Sequence, residues 1–215
     1  MRWFESSHPS HFTQSVSEQM RTIFNTPVFR EVLSLLARLF IRLSGWKVTG
    51  ETPTHKKCVL IAAPHTSHWD FLYMLCVILS RRMEVRWMGK QQLFKPPFGW
   101  LMKWLGGIPI ERSKTNNTVD SMVEAFNSAE TLTLLITPEG TRSKVRQWKT
   151  GFYHIACAAG VPIVRGFLDK SVRSCGFGPT FEPSGNLDSD IDEIKNYYKD
   201  MVGLHTELGV TTEQD

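Results

Sequence analysis

The sequence predicts an α/β fold, a single domain with a mostly parallel central sheet flanked by helices, preceded by an N-terminal helical segment that associates with a membrane. Three observations carry this. Apolar runs at residues 58–63, 131–136 and 161–168 read as strands, the first of them buried. Helical patterns alternate with them, as in βα units. A strongly amphipathic stretch, residues 28–46, comes before the first of these strands.

In chain order, residues 1–11 read as disordered and 11–24 as a short helix ended before Pro27. In residues 28–46, Arg30, Ser34, Arg38 and Arg42 recur every four positions and form one narrow polar stripe on a helix. Val28, Phe29, Val32, Leu33, Leu35, Leu36, Leu39, Phe40, Ile41 and Leu43 cover the rest. Three arginines in the hydrocarbon would make a transmembrane span costly. Two arrangements stay open. The helix lies in the membrane interface with its arginines reaching phosphates, or it packs on the domain with a charged outer stripe. The first is the expectation, and one helix can do both.

After the strand at 58–63, residues 71–79 form the body of a helix. Residues 84–88 read as a strand and 118–129 as a helix. Residues 149–159 form a helix closed by Gly160, a C-cap signal. Residues 172–181 contribute one or two further strands. Residues 189–202 form an amphipathic helix with Ile191, Ile194, Tyr198, Met201 and Val202 inward. The organisation expected is therefore a tail with interfacial helices over residues 1–46 and an α/β domain over 47–215.

A chain of 215 residues with 41% hydrophobic content can build one sizeable core. Cys58, Cys76, Cys157 and Cys175 lie far apart without metal spacing, and read as reduced, mostly buried thiols of a cytosolic compartment. The first twenty residues lack the apolar core of a signal peptide. Residues 81–114 hold eight basic and two acidic side chains, and residues 182–215 hold nine acidic and two basic. The basic stretch also carries Trp87, Phe94, Phe98, Trp100 and Trp104. No nucleic-acid-binding motif accompanies it, so an anionic membrane surface is the expected partner.

Residues 65–70, His-Thr-Ser-His-Trp-Asp, stand where a strand ends and a helix begins. A carboxylate that accepts from one imidazole nitrogen leaves the other free as a base. A plainer reading makes Ser67 an N-cap and Asp70 its capping-box partner. The two are compatible. Further along come Gly106-Gly107-Ile108-Pro109-Ile110-Glu111-Arg112-Ser113, then Pro138-Glu139-Gly140-Thr141-Arg142-Ser143, then Val161-Pro162-Ile163-Val164.

These four blocks, in this order and at these spacings, resemble the glycerolipid acyltransferase family over roughly residues 45–185. Its members include glycerol-3-phosphate and 1-acyl-glycerol-3-phosphate acyltransferases. The H-x-x-x-x-D motif is matched by His65 and Asp70, the Gly-rich motif through Arg112, and E-G-T-R in full by Glu139, Gly140, Thr141 and Arg142.

The resemblance implies His65 as general base, with Asp70 orienting it. Neutral imidazole is the reactive form, so activity falls at acidic pH. Arg112 and Arg142 are implied as ligands of the acceptor phosphate, each through two parallel hydrogen bonds. Gly140 lets backbone approach the substrate, and Glu139 ties down the loop or meets acceptor hydroxyls. Thr141 belongs to the same substrate-binding block. Lys90 and Lys95 are further candidates for phosphate or headgroup contact. The Gly106-Gly107 turn is a candidate source of oxyanion N–H groups.

The expected reaction moves a fatty acyl chain from a thioester, acyl-CoA or acyl carrier protein, to a hydroxyl of a lysophospholipid, foremost 1-acyl-glycerol-3-phosphate. It needs no metal or redox cofactor. The expected location is the cytoplasmic face of a membrane. Another lysolipid or glycerol-3-phosphate is the alternative acceptor, and a non-enzymatic lipid-binding module the alternative class. A zinc site at His65, His68 and Asp70 would leave E-G-T-R unexplained. A hydrolase would lack the G-x-S-x-G elbow.

Overall fold

The strand and helix runs assemble into an α/β sheet whose centre is the most apolar segment of the chain. The computed structural model describes residues 21–110, 115–143, 145 and 147–205. Readings made for residues 1–20, and for Arg112, lie outside these.

Strand β1 spans Lys47–Thr49 and β2 Lys57–Ala63; β3 is Arg86–Lys90, β4 Gly107–Ile110 and β5 Leu132–Ile136; β6 is Ile163–Asp169 and β7 Ser174–Phe181. They form one sheet in the order β1-β7-β6-β2-β5-β3-β4. Every pairing is parallel except β6 with β7. Strand β2 lies at the centre of the sheet, the fourth of seven strands, and is buried from Cys58 to Ala63, as its unbroken apolar run requires.

Helices cover both faces. Helix α1 is Pro27–Leu43, α2 His68–Ser80, α3 Gly99–Trp104, α4 Thr115–Ser128, α5 Gly151–Ala159 and α6 Leu187–Tyr198. Alternation along β2 divides the core. Val59, Ile61 and Ala63 pack with Phe126 of α4, Phe152 of α5 and Ile194 of α6. Cys58, Leu60 and Ala62 pack with Val77 of α2 and Ile41 of α1.

Several elements differ from the sequence reading. Strand β4 was hidden by its glycine and by Pro109, which it tolerates because it is an edge strand. The three-residue β1, the short α3 and a 3₁₀ turn at Gln91–Phe94 carry too few residues for a periodic signal. Residues 172–181 hold one strand, within the one or two expected. The last helix stops at Tyr198, because the chain beyond it bridges the β6–β7 turn. There the Lys170 N–H donates to the Val202 carbonyl at 2.7 Å, and the Val202 N–H donates to Asp169 Oδ1 at 3.2 Å. Residues 21–24 are not helical; Ile23 and Phe24 are buried against the domain, and the Ile23 N–H donates to the Trp104 carbonyl.

Helix α1 packs on the domain and leaves a wide apolar face outward. It packs through Ser34 of its polar stripe, while Arg38 and Arg42 of the same stripe stay exposed. Ser34 is buried along with Ala37 and Ile41. Arg38 remains exposed, and its Nε and Nη2 donate to the Ser80 carbonyl at 3.3 and 3.1 Å. The small Ser34 and Ala37 let α1 approach α2 closely. The outward apolar face is Val28, Phe29, Val32, Leu35, Leu36, Leu39 and Leu43, each at least half exposed. At 3.6 residues per turn these seven fall in an arc of about 120°. Among the described residues no helix is long and apolar enough to cross a membrane.

This orientation is testable by stability. Ile41→Ala, which opens a buried site, should cost about 2–5 kcal/mol in urea unfolding. Leu39→Ala should change stability by no more than about 0.5 kcal/mol, because it is a surface position. Equal costs would contradict the described face.

Candidate active site

In a parallel sheet the strands' carboxyl ends share one edge, and side chains on the loops there converge. The carboxyl ends of β2, β5 and β3 carry, in turn, His65, the residue 139–142 loop and Lys90.

Helix α2 begins with a capping box. Ser67 Oγ accepts from the Trp69 N–H at 3.1 Å, and Asp70 Oδ2 accepts from the Ser67 N–H at 2.6 Å. The same Oδ2 accepts from the Thr66 N–H at 2.5 Å and lies 3.4 Å from His65 Nδ1. The capping reading and the His–Asp reading are thus both present in one atom. The Asp70 side chain is 5% exposed and the His65 side chain 22%, so the carboxylate is shut from water while the imidazole reaches the surface. Asp70 Oδ1 is buried without a hydrogen-bond partner among the described residues.

The second loop is tied to the first. Glu139 Oε1 accepts from the His65 N–H at 3.2 Å. Glu139 is buried, and burial pushes its carboxyl up to about 7, with hydrogen bonds from its own N–H and that of His65 pulling the other way. Gly140 takes φ +64°, with its N–H on the Thr137 carbonyl at 3.0 Å. A Cβ there would stand 3.0 Å from the Lys149 side chain. Thr141 is exposed, and its hydroxyl accepts from the Ser143 N–H at 3.3 Å. Arg142 is exposed and its Nη1 donates to His68 Nδ1.

His68 was weighed in the sequence only as a metal ligand. Its ring instead turns to Arg142, and among the described residues no three His, Cys, Asp or Glu side chains converge to hold a metal. Its role had no sequence signal beyond its place inside the first motif.

Lys90 is exposed at the end of β3. Registers Leu60↔Leu135 and Trp87↔Leu135 set it level with Ala63, two strands away, or about 10 Å to the side. The Gly106-Gly107 turn does not belong to this edge. Gly107 pairs with Trp87, so it stands level with Leu60, five residues before His65. The Gly106 N–H is spent on the Lys103 carbonyl at 2.9 Å. Its glycine serves a tight turn at φ +86°, where a Cβ would meet the Val85 carbonyl at 2.5 Å.

Two further contacts carried no sequence signal. The His205 N–H donates to Thr66 Oγ1 at 3.1 Å, and Gly203 packs on the same threonine so closely that a Cβ would clash. Residues 203–205 therefore brace the His65 loop from the C-terminal side.

A family model described as Acyltransferase matches residues 45–165, more than half of the chain. This chain belongs to the acyltransferase family. The matched span contains His65, Asp70, Arg112, the residue 139–142 loop and the Val161-Pro162-Ile163-Val164 strand. Three relatives bear the name 1-acyl-sn-glycerol-3-phosphate acyltransferase. The Haemophilus influenzae protein is 30% identical over 145 residues, 61% of this chain and 59% of that protein. The Escherichia coli protein is 32% identical over 146 residues, 63% and 56% of the two chains. The Saccharomyces cerevisiae protein is 31% identical over 144 residues, 63% and 45%. The matched span thus covers less than two thirds of each of these relatives.

The crystal structure of the 1-acyl-sn-glycerophosphate acyltransferase PlsC from Thermotoga maritima superposes with a TM-score of 0.53. It covers 87% of this chain and 84% of that one at 18% identity, and shares the fold.

The buried Glu139 gives this acyltransferase a pH-dependent stability. Between its ordinary value of 4.5 and about 7, the folded chain holds a proton that the unfolded chain has released. Stability therefore falls as pH rises through that window. Glu139→Gln keeps an acceptor for the His65 N–H and removes the titration. Its stability relative to wild type should rise between pH 5 and 8, by up to about 3 kcal/mol. Thermal melts across that range would show it, and parallel curves would exclude a buried titrating carboxyl.

Proposed function

We propose that this chain transfers a fatty acyl group from a thioester to the free hydroxyl of 1-acyl-glycerol-3-phosphate at a membrane surface. One observation carries the reading. The His65–Asp70 pair and the loop bearing Arg142 are bonded to each other at one sheet edge, in a chain of the acyltransferase family.

In this reading the acceptor hydroxyl sits against His65 Nε2. As its oxygen attacks the thioester carbonyl, the proton passes to Nε2, and Nδ1–H faces Asp70 Oδ2 throughout. The carbonyl becomes a tetrahedral oxyanion. Its collapse breaks the carbon–sulfur bond, and the imidazolium returns the proton to the leaving thiolate. The products are ester and thiol, with no residual charge on the protein. Arg142 holds the acceptor phosphate, and Arg112 is assigned to the same phosphate by its motif. An apolar cavity of about 130 Å³ lined by Met88, Val119, Ile136, Phe152 and Ile155 opens beside Gly140 and offers room for acyl methylenes. The donor is acyl-CoA or acyl carrier protein.

The membrane part rests on exposed apolar surface. The leucine arc of α1 is joined by Leu93, Phe98 and Trp100, which are at least half exposed within the basic stretch. Such surface suits a helix lying in the lipid interface, with Lys90, Lys95 and Lys103 at headgroup level. Residues 1–46 then act as the membrane-associating segment and residues 47–215 as the catalytic domain. Four unpaired cysteines favour a cytoplasmic face.

Two kinetic outcomes test the chemistry. His65→Ala should lower turnover by about 10²–10⁴-fold with an unchanged melting temperature. A folded variant that kept half its activity would remove His65 as base, and an inactive wild type with intact vesicle binding would leave a lipid-binding module. Arg142→Lys keeps the charge but loses the planar fork. The acceptor KM should rise about tenfold or more while the donor KM stays within about twofold. Equal effects on both substrates would mean a structural role.

A further inference from the structure

We infer that the cleft at the carboxyl end of α1 is a discrete binding site for the phosphate headgroup of an anionic phospholipid, separate from the acceptor site. The inference rests on the membrane reading above and specifies a lipid that the membrane itself supplies.

The cleft has a volume of about 580 Å³ and lies between α1, the start of β1 and the end of α2. Its floor is Ile41 and Trp46, and its walls carry Arg38, Arg42, Lys47 and Arg81. A fifth cation closes one side: Arg173 Nη1 stands 3.4 Å from the place of a Cβ on Gly45, another lining residue. None of the five forms an ion pair among the described residues.

Two of these cations have structural work. Arg38 donates to the Ser80 carbonyl, and Arg81 Nη2 donates to the Gly50 carbonyl at 3.1 Å. Both bonds fix their guanidiniums at the edge of the cleft, that of Arg38 at the negative end of α2. Arg42 and Lys47 are exposed, and their side chains make no hydrogen bond among the described residues. Five cations gathered without an acid repel one another, and an anion between them removes that cost. Arginines match phosphate oxygens in a planar fork.

Position decides the source of the phosphate. Arg38 and Arg42 follow Leu35 and Leu39 at helical spacing, so the cleft opens along one margin of the exposed leucine arc. With those leucines in hydrocarbon, the guanidiniums reach the headgroup layer. The cleft sits at the far end of α2 from His65, and thirteen residues of helix make that about 20 Å. It is therefore not the place where the reacting acceptor's phosphate is held.

The test uses the full chain with neutral phosphatidylcholine vesicles and with vesicles containing phosphatidylglycerol. Wild type should bind the anionic vesicles about tenfold or more tightly than the neutral ones. An Arg42→Gln, Lys47→Gln double variant should keep its neutral-vesicle binding and its melting temperature, and lose most of that ratio. A Lys56→Gln, Lys199→Gln control, at exposed lysines outside the cleft and the basic stretch, should keep most of the ratio. Monomeric dihexanoyl phosphatidylglycerol should bind wild type saturably and the cleft variant not at all. Inorganic phosphate should compete only weakly.

If the control loses as much as the cleft variant, the attraction is diffuse and the site is overturned. Inorganic phosphate competing as well as the lipid would make it a free-anion site. Displacement by an acidic carrier protein but not by anionic lipid would assign it to a protein. Failure to bind either vesicle sinks the membrane reading together with this one. Retained vesicle binding with an unchanged ratio in the cleft variant sinks the site alone. Arg81→Gln gives an independent variant should the double substitution unfold.

Discussion

Asp70 Oδ2 anchors the carboxyl edge of the sheet. It takes the Thr66 and Ser67 N–H groups and stands 3.4 Å from the His65 ring. These N–H donors would otherwise be unsatisfied at the start of α2, inside a buried turn. Stabilising the helix start and aiming the imidazole are therefore one act. A carboxylate one bond longer or shorter would have to choose between them. The neighbouring loop depends on the same point, because Glu139 reaches the His65 backbone and not a partner of its own. Behind these, residues 203–205 close on Thr66.

That arrangement explains which features could be read from the chain. Strand β2, the start of α2, β5, α5 and β6 are governed by local apolar runs, by Ser67 and Asp70 as caps, and by Gly160 at φ +63°. Their signals are short-range, so the sequence displays them. His65, Asp70 and the residue 139–142 loop were legible because motif order put them after strands. Their convergence follows from the parallel order β6-β2-β5-β3.

What stayed hidden depends on contacts across the fold. Nothing local tells that His68 will turn to Arg142, 74 positions away, or that Gly203 will pack on Thr66. The Gly106-Gly107 pair was misplaced for a related reason. Its glycines mark a turn correctly, but which edge the turn occupies is set by register with β3. Arg165 behaves likewise. In sequence it interrupts an apolar strand; in the fold it donates to the Pro179 carbonyl at 2.9 Å and stacks on Tyr197, 4.7 Å from the ring centre. Those contacts lock β6 to β7 and α6, so the charge is structural. For α1, periodicity gave two faces but not which one faces the protein. The small volumes of Ser34 and Ala37 decide that.

The orientation of α1 has a mechanical consequence. One side of the helix is part of the core through Ala37 and Ile41, and the opposite side is bare leucine. Such a helix has no hinge between anchor and body. On the proposed membrane reading, the plane in which its leucines settle would fix the tilt of the whole sheet, and with it the height and heading of the His65 edge. Lipid delivery would then be a two-dimensional search, in which acceptors drift laterally past an opening held at constant depth. A flexible tether would give the same residence time on the surface without that constant bearing.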